Sequence, residues 1–275
     1  MILVDTHVHI YPCYHLNAFF DAAYDNFVNE ATRQGVQDFF TSFLLLTDLA
    51  EEKWFDRLKT YTGADNTALN NELGGWRIKE TDEPFSLQLM NSRDKNMYLV
   101  AGRQITTLEK LEVLALFSDH GYADGQSIDE TIESVRKNDA IPVIPWGAGK
   151  WLGKRGALLM QILNKYPANY FLLGDNGGRP RFWPSPKLFK HALSYGTQIL
   201  PGSDPLPLVN ESRRPGSYGC TMTGIISPDT PGNSLKQLIA DSEIPKTTYG
   251  KRHGLSTVIA NQVALRVREE LNSRP

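Results

Sequence analysis

The fold is decided by the N-terminal segment ILVDTHVHI, residues 2–10. Its run of apolar, β-branched residues predicts a strand that is buried on both faces, as in a parallel sheet. Alternate side chains of a strand point the same way, so His7 and His9 are expected to project together while Val8 packs on the opposite face. Two imidazoles side by side at the end of an inner strand can bind a divalent metal ion. The alternative is that one histidine caps a neighbouring loop and the other is a core residue.

Composition limits the classes of protein to which the chain can belong. Its 275 residues are 41% hydrophobic, which is enough for a large core, and (β/α) barrels have about 250 residues. The net charge of −2 argues against nucleic acid or an anionic membrane as a partner. Cys13 and Cys220 are too few for a disulfide framework, which favours a reducing compartment. Because the N-terminus enters a strand directly and no apolar run approaches about 20 residues, we expect a cytoplasmic protein.

Strands and helices alternate along the rest of the chain. Further strands are predicted over 36–46, 97–105, 113–117, 141–146, 170–174 and 197–200. Helices are predicted over 15–35, 50–61, 126–140, 156–166, 186–195, 234–240 and 255–271. This alternation predicts an α/β protein with a parallel sheet, wound or closed. Neither a repeat nor a linker divides the sequence, so a single domain over 1–275 is the economical interpretation.

One segment has a different pattern. Residues 76–79 and 85–89 alternate apolar and polar side chains, which predicts two strands with one solvent-facing side, and Glu83-Pro84 supplies the turn. The polar stretch 62–75 before them is predicted to be a loop. We interpret residues 62–96 as a β-hairpin insertion at the rim of the fold. A second long loop is predicted over 213–232, which is rich in Gly, Pro and Ser.

The sequence opens with Asp5-x-His7-x-His9, followed by His15, and has Gly-Ser-Asp204-Pro-Leu after its last predicted strand. These segments are similar to the first motif and to the closing Gly-Ser-Asp-x-His motif of the PHP (polymerase and histidinol phosphatase) family, which the chain resembles. The resemblance implies a distorted, TIM-like (β/α)7 barrel that holds up to three metal ions and cleaves phosphoesters. It makes His7, His9, His15 and Asp204 candidate metal ligands, and Asp204 also a candidate general base.

Several ligand positions of the family carry other residues in this chain. Leu49 and Leu206 stand where histidines would be, and Trp146 ends a strand that normally ends in His-Pro. Gln104 replaces a bridging glutamate and Glu112 replaces a histidine, so both are candidate replacement ligands. Leucine cannot bind a metal ion, and glutamine is a weak neutral ligand. At most one tightly bound divalent ion (zinc, manganese or iron) is therefore expected.

The amidohydrolase-like metal-dependent hydrolases resemble the chain more weakly. They also open with His-x-His and close with an aspartate on the last strand, so the similarity covers only the two ends of the sequence. No histidine ends the predicted strands at Trp146 or Gly174.

Two basic residues are candidates for binding an anionic substrate. Lys150 and Arg179 each follow a glycine-rich segment at a predicted strand end, where the backbone can approach a ligand and arginine can bind phosphate bidentately. The alternatives are a solvated lysine and a surface arginine in an Asx-Gly turn. If Glu112 and Asp204 share a cavity, their repulsion and desolvation favour a proton on one of them. We therefore expect either a metal ion or a direct Lys150 or Arg179 contact to one of these acids.

The function expected from the sequence is that of a divergent PHP-like metal-dependent hydrolase. A phosphoester is the first substrate by analogy with the family, with a small anionic molecule as the expected partner. The alternative is a catalytically inactive barrel that binds a small anionic ligand or a protein partner, which the replaced ligand positions favour.

Overall fold

Two β-sheets with helices packed against them form the structure, a computed structural model that describes residues 1–36, 39–62, 71–92 and 95–272. The strands are β1 Ile2–Val8, β2 Thr41–Leu46, β3 Trp76–Glu80, β4 Ser86–Asn91, β5 Asn96–Val100, β6 Gly102–Thr106, β7 Glu112–Leu116, β8 Ile141–Pro145, β9 Leu172–Asn176, β10 Ile199–Gly202, β11 Tyr218–Met222 and β12 Thr247–Gly250. The helices are α1 Leu16–Arg33, α2 Trp54–Lys59, α3 Ile128–Lys137, α4 Gly153–Lys165, α5 Lys187–Ser194, a 3-10 helix Val209–Arg213, α6 Pro231–Ala240 and α7 Leu255–Asn272.

The direction of the strands determines where side chains can meet. The seven-stranded sheet has the order β12-β11-β1-β2-β5-β4-β3 and the five-stranded sheet the order β10-β9-β8-β7-β6. Strands β1, β2 and β5 are mutually parallel, as are β8, β9 and β10. Strand β7 runs antiparallel to both of its neighbours. Its first residue, Glu112, therefore lies at the same edge as the carboxyl ends of the parallel strands beside it.

The helices cover the outer faces of the sheets because their apolar residues recur at helical spacing. In α1 the buried residues Leu16, Phe19, Phe20 and Phe27 form one stripe against the first sheet. Helix α3 begins at a capping box in which the side chains of Ser127 and Glu130 satisfy each other's backbone N–H groups. The remaining core lies between the sheets and is built from alternate residues of their strands.

The α/β class is confirmed, but the described strands form two sheets rather than one closed barrel. Where β1 meets β10, the hydroxyl of Thr6 donates to the carbonyl of Pro201 at 3.0 Å. Pro201 has no N–H to donate, so a regular ladder cannot continue across this seam. Strands β2 and β6 meet at an isolated bridge just beyond the end of β2.

The strand predicted over 97–105 was wrong in its continuity, because it is divided into β5 and β6, which belong to different sheets. The chain crosses between the sheets at Gly102. A Cβ at this position would lie 2.5 Å from the carbonyl oxygen of Leu46, so the crossing requires glycine.

The loop predicted over 213–232 was also wrong, because it contains β11. This strand is buried throughout and pairs antiparallel with β1. The Gly, Pro and Ser residues that suggested a loop flank the strand. Strand β12, which pairs with β11, was not predicted either.

The hairpin predicted over 76–89 is confirmed as β3 and β4. Because β4 pairs with β5, the hairpin extends the seven-stranded sheet. The predicted loop over 62–75 falls mainly on 63–70, outside the described residues, and the rim insertion over 62–96 stays a prediction. No helix within the described ranges has the length and apolar character needed to cross a membrane.

Candidate metal centre

The candidate site lies at the end of β1. Near this end, the alternation of side chains between the core that separates the two sheets and the core beneath α1 is reversed. Val4 belongs to the core between the sheets, whereas Val8 belongs to the cluster beneath α1. The register of β1 against β2 shifts between Asp5 and Val8. This irregularity reverses the alternation of faces. His7 and His9 therefore point away from α1, and Val8 packs on the opposite face as predicted.

Asp204 approaches the histidines from the end of β10. Its backbone has φ +48°, in the left-handed region that aspartate adopts more readily than most residues. The preceding Gly202 allows β10 to approach β1, because a Cβ there would lie 2.5 Å from the backbone nitrogen of His7. The backbone N–H of Asp204 donates to the carbonyl of His7 at 2.8 Å. The two strand ends are thus fixed beside each other.

Three ligand-type atoms meet at this point. The Nε2 atoms of His7 and His9 are 3.0 Å apart, and Oδ1 of Asp204 lies 3.5 Å and 3.6 Å from them. Around a tetrahedral ion with bonds of about 2.0–2.1 Å, neighbouring ligand atoms are about 3.3–3.4 Å apart. The cluster therefore fits one small divalent ion, and the convergence of His7, His9 and Asp204 predicted from the sequence is confirmed.

Asn176 is a functional candidate that the sequence analysis missed. It is the buried last residue of β9, and its Nδ2 donates to Oδ2 of Asp204 at 2.8 Å and to the carbonyl of Trp146 at 2.6 Å. With Oδ2 held in this way, Asp204 presents Oδ1 to the histidines. The signal available in the sequence was its place at a strand end, in a Gly-Asp-Asn-Gly-Gly segment.

A polar chain leads from the cluster to a lysine. The amide oxygen of Gln104 lies 3.2 Å from Nε2 of His7. The amide nitrogen of Gln104 donates to the carboxylate of Glu112 at 3.2 Å. The ammonium of Lys150 donates to the same carboxylate oxygen. The predicted contact between a basic residue and one of the two acids is confirmed for Lys150 and Glu112.

Burial controls the protonation of the cluster. Loss of hydration lowers the pKa of His7 to about 4, an effect that the negative charge of Glu112 partly opposes. Desolvation lowers the pKa of His9 to about 3, and the neighbouring His7 lowers it further. Burial raises the pKa of Asp204, while His9 and Lys150 act in the other direction. At neutral pH both imidazoles are thus in the neutral form that binds metal ions.

The cluster opens into a cavity of about 340 Å³. Its polar lining includes His9 and Asp204 of the cluster and the chain from Gln104 to Lys150, while Leu49, Trp146 and Leu206 make part of the wall apolar. Helix α7 contributes Val258 and Asn261 along one side. A cavity of this size admits a small molecule.

Two of the site residues predicted from the sequence, His15 and Arg179, belong neither to the cluster nor to the lining of this cavity. His15 is exposed at the N-cap of α1 and is not part of the cluster. Arg179 is buried and forms a bidentate ion pair with Asp175 at 2.6 Å and 2.7 Å. The hydroxyl of Tyr218 also donates to Asp175, at 2.9 Å. The charge of Arg179 is therefore compensated inside the fold.

Comparison with known proteins assigns the chain to no family. No protein-family model matches it, and no curated protein matches it. Among solved structures it is similar to PsfC from Pseudomonas syringae PB-5123, with 11% identity and a TM-score of 0.48 over 98% of both chains. It is also similar to the lesion-specific endonuclease PfuEndoQ from Pyrococcus furiosus, with 10% identity and a TM-score of 0.45, over 86% of this chain and 55% of that one. Both TM-scores are below 0.5, so these similarities establish neither fold nor chemistry.

Glu112→Gln is expected to weaken metal binding about tenfold, the size of effect typical of groups that support metal ligands from outside. The change removes the negative charge felt by His7 and leaves the charge of Lys150 uncompensated near the cluster. The dissociation constant is measured by competition with a chromogenic chelator. Glu133→Gln, on the exposed face of α3, is the control. Equal affinity in wild type and Glu112→Gln would show that Glu112 does not act on the site.

Acid is expected to destabilise the metal-free protein through the two buried histidines. Below the unfolded-state pKa of 6.5, the unfolded chain takes up protons at His7 and His9, but the folded protein does not until about pH 4 and 3. Stability therefore falls as the pH falls from 6.5. In urea unfolding with EDTA, we expect wild type to lose about 4 kcal/mol more between pH 7 and pH 5 than the double variant His7→Asn/His9→Asn. The same loss in both proteins would contradict the neutral, buried state of these histidines.

Proposed function

We propose that the chain is a divergent metal-dependent hydrolase of PHP type, with one divalent ion held by His7, His9 and Asp204. The observation that carries the proposal is the triangle of their three ligand atoms, 3.0–3.6 Å on a side. These residues occupy the first and last motifs of the family resemblance. The contacts of β1 with β10 and of β2 with β6 support a distorted barrel of that type.

The three ligand side chains indicate which metal ions the site would bind and what chemistry such an ion would contribute. Two imidazoles and a carboxylate suit zinc, manganese or iron, and such an ion would supply Lewis-acid activation of water and of the ester. His7 and His9 hold it as neutral imidazoles, and Asn176 keeps the carboxylate of Asp204 oriented. Asp204 is proposed as a ligand of the ion or as the general base that accepts a proton from water, because its carboxylate lies beside both histidines.

Lys150 is the proposed contact for the charged part of the substrate. It lines the cavity beside the cluster, and Glu112 fixes the position of its ammonium group. A phosphoester carries negative oxygens that a lysine ammonium can bind. We propose a small phosphoester as substrate and a cytoplasmic setting, with neither nucleic acid nor a membrane as partner, in keeping with the net charge of −2 and the size of the cavity.

The test is metal content and hydrolysis measured on one preparation purified without chelators. We expect about one equivalent of metal per chain, hydrolysis of small phosphoesters, loss of activity in EDTA, and recovery with zinc, manganese or iron. Two or three tightly bound equivalents would contradict the single site. A protein that takes up no metal and hydrolyses no phosphoester would refute the proposal.

A binding function without catalysis is the second candidate. The observation that favours it is the presence of Leu49 and Leu206 in the cavity wall, where they supply no ligand. Calorimetry that detects binding of inorganic phosphate, together with no turnover at full metal occupancy, would support this alternative over hydrolysis.

A further inference from the structure

A second recess adjoins the metal cavity and differs from it in chemistry. It has a volume of about 420 Å³ and shares Trp146 and Gly147 with the metal cavity. The rest of its wall is largely apolar, with the side chains of Trp151, Leu152, Trp183, Pro184, Pro186 and Leu188. A molecule bound in the metal cavity is therefore beside an apolar recess.

Large apolar side chains are exposed at this recess. Trp183 is 44% exposed and Leu152 is 68% exposed. The ring of Trp183 meets that of Trp146 edge to face, with 5.7 Å between the centroids and 74° between the planes. Exposed apolar residues gathered around a concavity are typical of ligand sites, and tryptophan rings pack favourably against another aromatic ring.

The charged group at the recess is already neutralised. Arg179 is part of the wall, but its guanidinium is paired with Asp175. Arg179 also donates to the backbone carbonyl of Trp183 at 3.4 Å, so it helps to hold the backbone at Trp183 in place. Lys150 is also paired, with Glu112, but its side chain is 35% exposed whereas that of Arg179 is 7% exposed. Selection for charge thus falls to Lys150 and the metal cluster, and the recess selects for apolar surface.

We propose that the recess binds the aromatic group of the substrate, which makes an aryl phosphate the substrate class. The phosphate lies in the metal cavity beside Lys150, and the ring enters between Trp183 and Leu152. A volume of about 420 Å³ accommodates one or two fused rings. The inference rests on the proposed function for the position of the charged end.

The test uses two probes that cannot be hydrolysed, phenylphosphonate and methylphosphonate, with binding measured by calorimetry at full metal occupancy. Burial of a phenyl ring is expected to make phenylphosphonate bind about tenfold or more tightly than methylphosphonate. Trp183→Ala and Leu152→Ser should each reduce this ratio to about threefold or less. Leu152 is at the N-cap of α4, where serine is favoured, so its loss does not threaten the fold. Phe39→Ala, which removes an 86% exposed aromatic residue, is the matched control and should leave the ratio unchanged.

Equal affinities for the two probes in wild type would overturn the inference, as would no binding of either. A preference that survives both variants would place the aromatic group elsewhere and would also overturn it. Hydrolysis and one bound metal ion without a phenyl preference would refute this inference alone. A phenyl preference that Trp183→Ala abolishes, in metal-loaded protein that hydrolyses no phosphoester, would refute the proposed function alone.

Discussion

His9→Ala is expected to reduce the bound metal from about one equivalent per chain to less than about one tenth. The variant leaves only His7 and Asp204 as ligands, and two protein ligands do not make the three-ligand site that catalytic metal ions require. The loss of affinity should exceed the 10–100-fold that is typical of removing an outer partner of a ligand. Elemental analysis after dialysis measures the occupancy, and competition with a chelator measures the affinity.

His15→Ala is the matched control for this prediction. The family resemblance makes His15 a ligand, but the structure places it exposed at the start of α1, outside the cluster. The variant should keep one equivalent of metal with unchanged affinity. Loss of metal in His15→Ala, or its retention in His9→Ala, would contradict a metal site made of His7, His9 and Asp204.

The part of the site that the sequence predicted depends on local geometry. The two-residue period of a strand placed His7 and His9 on one side, and both remain on one side of the chain in the structure. Asp204 was identified from the similarity of Gly-Ser-Asp204-Pro-Leu to the closing motif of the PHP family. Its meeting with the histidines required that β1 and β10 be neighbours, which they are.

The part that the sequence did not predict depends on contacts between distant segments. Asn176 matters because the end of β9 lies beside Asp204, 28 residues further along the chain. The ion pair of Arg179 is local, with Asp175 four residues before it, but the burial of this pair depends on the surrounding fold, and the glycine-rich context suggested an exposed turn instead. The division of the strands into two sheets depends on local details at Pro201 and Gly102 that no hydrophobic pattern records.

Asp5→Ala is expected to destabilise the fold by about 4 kcal/mol. The side chain is fully buried, and its Oδ1 accepts hydrogen bonds from the backbone N–H groups of Ser203 at 2.8 Å and His7 at 3.4 Å. Its Oδ2 accepts one from Gly216 at 2.8 Å. Alanine leaves these buried donors without partners, at about 1–3 kcal/mol each. Urea unfolding in EDTA measures the change without a contribution from metal.

Asp119→Ala, in an exposed loop, is the control and should change stability by less than about 0.5 kcal/mol. The loss of stability in Asp5→Asn should lie between those of Asp5→Ala and Asp119→Ala. The asparagine amide keeps one acceptor oxygen but turns its NH₂ group towards a backbone donor. Asp5 belongs to the same short motif as the two histidines, yet it joins β1 to the segments that carry Ser203 and Gly216. Folded Asp5→Asn should therefore still bind one equivalent of metal. Normal stability with lost metal binding would instead make Asp5 part of the metal centre, and the assignment of its carboxylate to the fold would be wrong.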